Sequence, residues 1–217
     1  MRKTVLAWHW LLESRKLQFA PYTAVEAGQE LQHEGPLELC SSGLHASERL
    51  IDALRYAPGR VLCRVQLSGE VLRGGDKLCG SRRKVLWMVD AAPALREFAW
   101  RCAERALLRE REAGREPHPD SWAAVQAAKD YAAGKITAGE LKRARDSAMG
   151  IAITSTQGFN PLSSAAHSAD FAARSAGANS SYYSGLPVIN SNFSYSKEKE
   201  WQNRLLIRLV NKLRKER

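Results

Sequence analysis

The residues of this 217-residue chain whose chemistry stands out are two histidines, a cationic triplet, a basic C-terminal segment and four cysteines. His9 lies between Trp8 and Trp10, and His45 lies in the short apolar run Gly43–Ala46. An imidazole titrates near neutrality and can donate or accept a proton, so either histidine could serve acid–base chemistry. The ordinary role of a histidine in an apolar strand is a hydrogen-bonded core residue. Arg82-Arg83-Lys84 could hold phosphates if it lined a groove, and would otherwise be a solvated strand end. Cys40, Cys63, Cys79 and Cys102 are separated by 23, 16 and 23 residues, so no Cys-x-x-Cys pair exists. Reduced, mostly buried thiols are expected, and no metal site.

The charge total narrows the partners. The formal net charge is +10 with a pI near 9.7, which favours acidic partners such as nucleic acid. The excess is uneven: residues 151–217 carry 9 Lys+Arg against 4 Asp+Glu. Apolar residues make up 44% and charged residues 26%, the balance of a globular protein. No window approaches 18 consecutive apolar residues, so no membrane-spanning helix is expected. The N-terminal apolar run is broken by His9, ends at Glu13 and has no small-residue cleavage site. It reads as part of a mature cytoplasmic protein.

The elements that must position these residues follow from periodicity. Residues 4–12 are rich in strand formers, with Trp8 and Trp10 on one face and His9 on the other. A turn-rich connection from Glu13 to Glu38 leaves room for one short strand. The stretch Gly43–Leu67 reads as strand, helix, strand. Ser47 is placed to cap the helix, Leu50, Ala53, Leu54 and Ala57 form its apolar face, and Pro58-Gly59 ends it. Val61, Cys63, Val65 and Leu67 then alternate with Leu62, Arg64 and Gln66, as in a half-buried strand. Val85–Val89 is a buried strand.

After Pro93 the pattern turns helical: 94–112, a helix capped by Asp120 and ending at Gly134, and one opened by the capping box Thr137–Glu140 and reaching Ala148. Residues 150–196 are Ser-, Ala- and Asn-rich, expected as a loop or weak helix that could present Tyr182, Tyr183, Phe193 and Tyr195 to a partner. Lys197–Arg217 is an amphipathic helix. Arg204, Arg208, Lys212, Arg214 and Lys215 lie on its polar face, a solvated surface or a contact for nucleic acid or a partner protein. The whole is an α+β protein: a mixed-sheet domain over 1–92, a helical module over 93–149, the segment 150–196, and the basic helix.

Three resemblances enter here. PLELCSSGLHASERLIDALRYAPGRVLCRVQLSGEV with DKLCGSRRKVLWMVD, within residues 36–90, resembles an uncharacterised domain of tailed-phage and prophage proteins. LREFAWRCAERALL with SWAAVQAAKDYAAGKITAGELKRARDSA, within 95–148, resembles an Ala-rich helical module of phage proteins and putative bacterial immunity proteins. The order strand, Gly43-Leu44-His45-Ala46-Ser47, helix, Tyr56, strand is similar to the middle of ADP-ribosyltransferase folds. That likeness implies a clamp around NAD, with His9, Ser47 and Tyr56 on the cofactor. It implies His45 and Glu70 as catalytic residues, Asp76 being the other nearby carboxylate. The late strand, however, begins Ser81-Arg82-Arg83-Lys84 where the family has its glutamate, and a cation there opposes an oxocarbenium-like transition state.

Three functions are therefore in play. One is a phage or prophage accessory protein that binds a host protein complex or nucleic acid, in an anti-defence or regulatory role and without a cofactor. A second is an NAD-dependent ADP-ribosyltransferase. A third is an immunity-like helical protein that captures a partner. No membrane partner is expected, and the oligomeric state is left open.

Overall fold

The computed structural model describes residues 4–19, 22–154 and 195–216. The chain divides into two compact units, Met1–Ala91 and Ala92–Arg217. The first is a sheet with one short helix. Its elements are β1 (Val5–Leu11), β2 (Glu30–Gln32), β3 (Leu44–Ala46), α1 (Leu50–Leu54), β4 (Val61–Arg73) and β5 (Leu78–Asp90).

β4 and β5 form a long hairpin joined through Gly74–Lys77, and the other strands attach to it. β1 lines the free edge of β4, while β3 and β2 pair in succession along β5. All pairings are antiparallel, so the expected mixed sheet is corrected. The helix does connect two parallel strands, β3 and β4, but β5 runs between them. The strand expected to end at Leu67 continues to Arg73, because Gly69 at φ +76° lets it bulge. There Ser81 Oγ accepts from Glu70 N–H at 3.0 Å. The bulge bends the hairpin.

The sheet curls back on itself. Trp8 N–H donates to Ser47 O at 2.8 Å and Ser47 N–H to Trp8 O at 3.0 Å, joining the end of β3 to β1. That pairing also corrects the expected cap. Ser47 is held in extended pairing, the helix starts after Arg49, and no side chain caps it. Inside lie Ala7, Leu11, Leu31, Leu44, Ala46, Val61, Cys63, Val65, Leu67 and Val85. On the opposite face the Arg64 guanidinium stacks on Trp8 at 4.2 Å, and Trp8 meets Trp87 edge to face at 5.8 Å.

The second unit comprises α2 (Ala92–Glu112), α3 (Pro119–Ala132), α4 (Ala138–Thr154) and α5 (Tyr195–Lys215). α2, α3 and α4 pack through Ala99, Ala103, Leu107, Ala124, Val125, Ala128, Leu141 and Ala148. The small residues let the helices approach closely. The capping box forms as expected: Thr137 N–H donates to Glu140 Oε2 at 2.7 Å and Glu140 N–H to Thr137 Oγ1 at 3.3 Å. α3 is instead capped by His118, whose Nδ1 accepts from Asp120 N–H at 3.2 Å. With proline at the first helical position, the helix starts two residues earlier than a cap at Asp120 suggests. The helix expected to end at Ala148 runs to Thr154, and the last helix begins at Tyr195. The rest of the expected Ser-, Ala- and Asn-rich segment, residues 155–194, lies outside the described residues.

Gly43 sits at φ +115°, and a β-carbon there would overlap Cys79 Sγ and Leu37 Cδ2. Gly43→Ala is expected to destabilise the protein by roughly 2–4 kcal/mol, combining strain with overpacking. Gly75→Ala, with open space around it, should be near neutral. Urea unfolding followed by near-ultraviolet circular dichroism would check both.

Candidate functional site

Strand alternation decides which of the sequence's candidates meet. His9 on β1 pairs with Cys63 on β4, and Arg83 on β5 pairs with Leu67 and with Leu31. All lie on the enclosed face of the curled sheet. The same alternation splits the cationic triplet: Arg83 is 2% exposed, while Lys84 is exposed and Arg82 half-buried. Arg82, Arg83 and Lys84 therefore do not form one patch, as their adjacency in sequence had suggested.

Arg83 Nη1 donates to His45 O at 2.8 Å. Its Nε is buried without a hydrogen-bond partner. Among the described residues no carboxylate pairs with it. The groups acting on it electrostatically are the thiols of Cys63 and Cys79. Burial pulls its pKa down to about 10, so the guanidinium is still charged at neutral pH. Burial pushes the Cys63 thiol up to about 12, so that neighbour is neutral. His9 titrates well below its ordinary value because burial penalises the charged ring and Arg83 and His45 add repulsion. The ring lies against the His45 backbone. Among the described residues, Arg83 thus has a neutral imidazole and two thiols around it and no countercharge.

His45 itself faces outward. Its Nε2 accepts from Cys40 N–H at 3.0 Å, and Nδ1 then carries the proton and donates to Gly43 O at 3.1 Å. Both nitrogens are engaged in holding the loop before β3, and burial lowers its pKa. Ser47 is buried at the sheet closure. Tyr56 belongs to an outer cluster at the hairpin turn: its hydroxyl donates to Asp76 Oδ2 at 2.7 Å, Arg55 Nη1 joins the same oxygen at 3.0 Å, and Lys77 lies over its ring at 4.2 Å. Glu70 is exposed at the bulge, and nothing joins it to His9, His45 or Arg83. The fold therefore gathers His9, the His45 main chain and Arg83, and leaves Tyr56, Glu70 and Asp76 outside.

The second unit presents a different surface. In its first turn α5 carries Glu198, 5% exposed, whose Oε2 accepts from Arg105 Nε at 3.3 Å and also pairs with Arg109. These bonds tie α5 to α2. Arg105 also stacks on Trp201 at 4.3 Å. The result is a groove of about 320 Å³ lined by Arg101, Glu104, Arg105, Leu108, Trp201, Arg204, Leu205 and Arg208. Beyond it Arg204, Arg208, Lys212 and Lys215 recur every three or four residues, along a concavity of about 660 Å³. All four are exposed, as is Arg214. Sequence reasoning placed the α5 cations but missed Arg101 and Arg105. Their spacing of four on α2 is the signal that they share a face.

Residues 12–97 match the family model described as Domain of unknown function (DUF7666). The match spans β2 through β5 and the first turns of α2, leaving out β1 and His9. No curated protein and no solved structure matches the chain.

The lowered pKa of His9 has a consequence for stability. The unfolded chain takes up a proton below the ordinary histidine value of 6.5, while the folded protein resists it. Stability is therefore full above that value and falls as pH drops below it, by up to about 1.4 kcal/mol per pH unit for one proton. Unfolding free energies at pH 7.5 and 5.5 should show this loss, and His9→Gln should shrink it. An unchanged loss in the variant would assign the effect elsewhere.

Proposed function

We propose that the protein acts by binding nucleic acid through the cationic face of its last helix. The observation that carries this reading is the exposed row Arg204, Arg208, Lys212 and Lys215, continuous with a groove walled by Arg101 and Arg105. Cations at successive helical turns stand about 5.4 Å apart, and such a row follows a phosphate backbone without reading bases. The pairs of Glu198 with Arg105 and Arg109 hold the groove's wall rather than cancel the row. This binding role suits the phage or prophage accessory protein that the resemblance implies, with host nucleic acid, or a complex that carries it, as the target. No helix among the described residues is long and apolar enough to cross a membrane.

ADP-ribosyl transfer is the second reading, supported by the meeting of His9, the His45 main chain and Ser47 at the closure of the sheet. It would draw on Arg83 in place of the outlying Tyr56, and Glu70 would have to reach the site from the bulge. Nicotinamide release from NAD, abolished by His9→Ala and by Glu70→Gln, would favour it.

Binding of labelled single- and double-stranded oligonucleotides should weaken linearly on a logarithmic salt scale. Four phosphate contacts predict a slope of about −3.6 on duplex DNA. Arg204→Ala and Arg208→Ala should each lower the slope by about 1 and weaken all sequences alike. Absence of binding at low salt, or binding that both substitutions leave unchanged, would overturn the proposal.

A further inference from the structure

The interior of the first unit contains a charge that its surroundings do not answer. A buried guanidinium is ordinarily paired, because an isolated charge in a low-dielectric interior is costly. Arg83 is 2% exposed, has one hydrogen bond to a main-chain carbonyl, and has its Nε buried without a partner. Among the described residues, the titratable groups in electrostatic contact with it are His9 from β1, Cys63 and Cys79 from β4 and β5, and the outward-turned ring of His45 from β3. None is anionic at neutral pH. With Nη1 turned to His45 O, the buried donor left without a partner is Nε, which shares one edge of the guanidinium with Nη2. That edge is the two-donor fork that receives two oxygens of a carboxylate or phosphate.

From this geometry we infer that Arg83, with His9 beside it, forms an internal oxyanion site that takes the phosphate group of a small molecule. The enclosure decides the class of ligand. A polymer backbone follows exposed cations such as those of α5, whereas a guanidinium this enclosed admits a terminal phosphate. His9 favours phosphate over carboxylate, since its neutral ring can accept from a singly protonated phosphate, and its protonated ring can donate to a fully ionised one. An anion at this position reverses the electrostatic effect of Arg83 on His9, so binding is coupled to proton uptake by the ring. The site lies in the other unit from the nucleic-acid surface and depends on neither reading of function above.

The test follows the ring resonances of His9 in the full-length protein labelled at histidine, titrated with inorganic phosphate at fixed ionic strength. A saturable shift of the His9 signals is expected, with the ring's titration moved to higher pH. The α5 variants Arg204→Ala and Arg208→Ala should leave the response intact, which separates it from nucleic-acid binding. Arg83→Met, which replaces the charge with an apolar chain of similar length, should abolish the response. Should that variant fail to fold, Arg83→Lys keeps the charge, loses the fork, and should weaken binding about tenfold. AMP serves as a second probe: tighter binding than phosphate would mark the ligand as a nucleotide, and equal binding would mark the phosphate alone as what is recognised. No saturable shift, the same shift with chloride, or a response that survives Arg83→Met would overturn the inference.

Discussion

The β4–β5 hairpin is the element on which the first unit depends. Two strands of thirteen residues each carry every other strand of the sheet. Their bend at Gly69 and Ser81 brings β3 around to meet β1 through the Trp8–Ser47 backbone pair. A flat hairpin of this length would leave β1 and β3 on separate edges, with unpaired main-chain groups on both. The bulge therefore does more than relieve strain locally: it creates an inside. Once an inside exists, alternate residues of β1, β4 and β5 must fill it, and one of them is an arginine.

Electrostatics in the two units follows opposite rules. In the enclosed sheet Arg83 stands among thiols and a neutral imidazole, and desolvation is the largest influence on each of these groups. In the helical unit the buried ion is answered: the enclosed carboxylate of Glu198 receives two arginines from α2. These contacts are structural, because they tie the first turn of α5 to α2. The cations farther along α5 remain in water, where charge stabilises little but attracts polyanions at long range.

Much of the secondary structure is legible in the order of residues. The alternation in Val61–Leu67, the tryptophan-flanked strand around His9, the capping box at Thr137 and the amphipathic last helix all depend on local periodicity and short-range hydrogen bonds. These rest on neighbours within a few positions. The misreadings have two causes, long-range strand pairing for Ser47 and Arg83 and a competing local cap for Asp120. Ser47 looks like a helix cap until Trp8 claims its backbone, and Asp120 looks like one until the imidazole of His118 takes that place. Arg82-Arg83-Lys84 reads as a patch because adjacency in sequence says nothing about which face will be enclosed.

The sequence by itself determined the α+β class, the change to helices after Pro93, the absence of a zinc-type cysteine pattern and the basic face of the last helix. Each is set by composition or by a period of two or 3.6 residues. Only the tertiary structure decided that His45 turns outward while its carbonyl turns in, that Tyr56 and Glu70 stay apart from His9, and that Arg83 is enclosed. Those outcomes depend on contacts between residues tens of positions apart, governed by the register and curvature of the sheet. A local pattern carries no record of either.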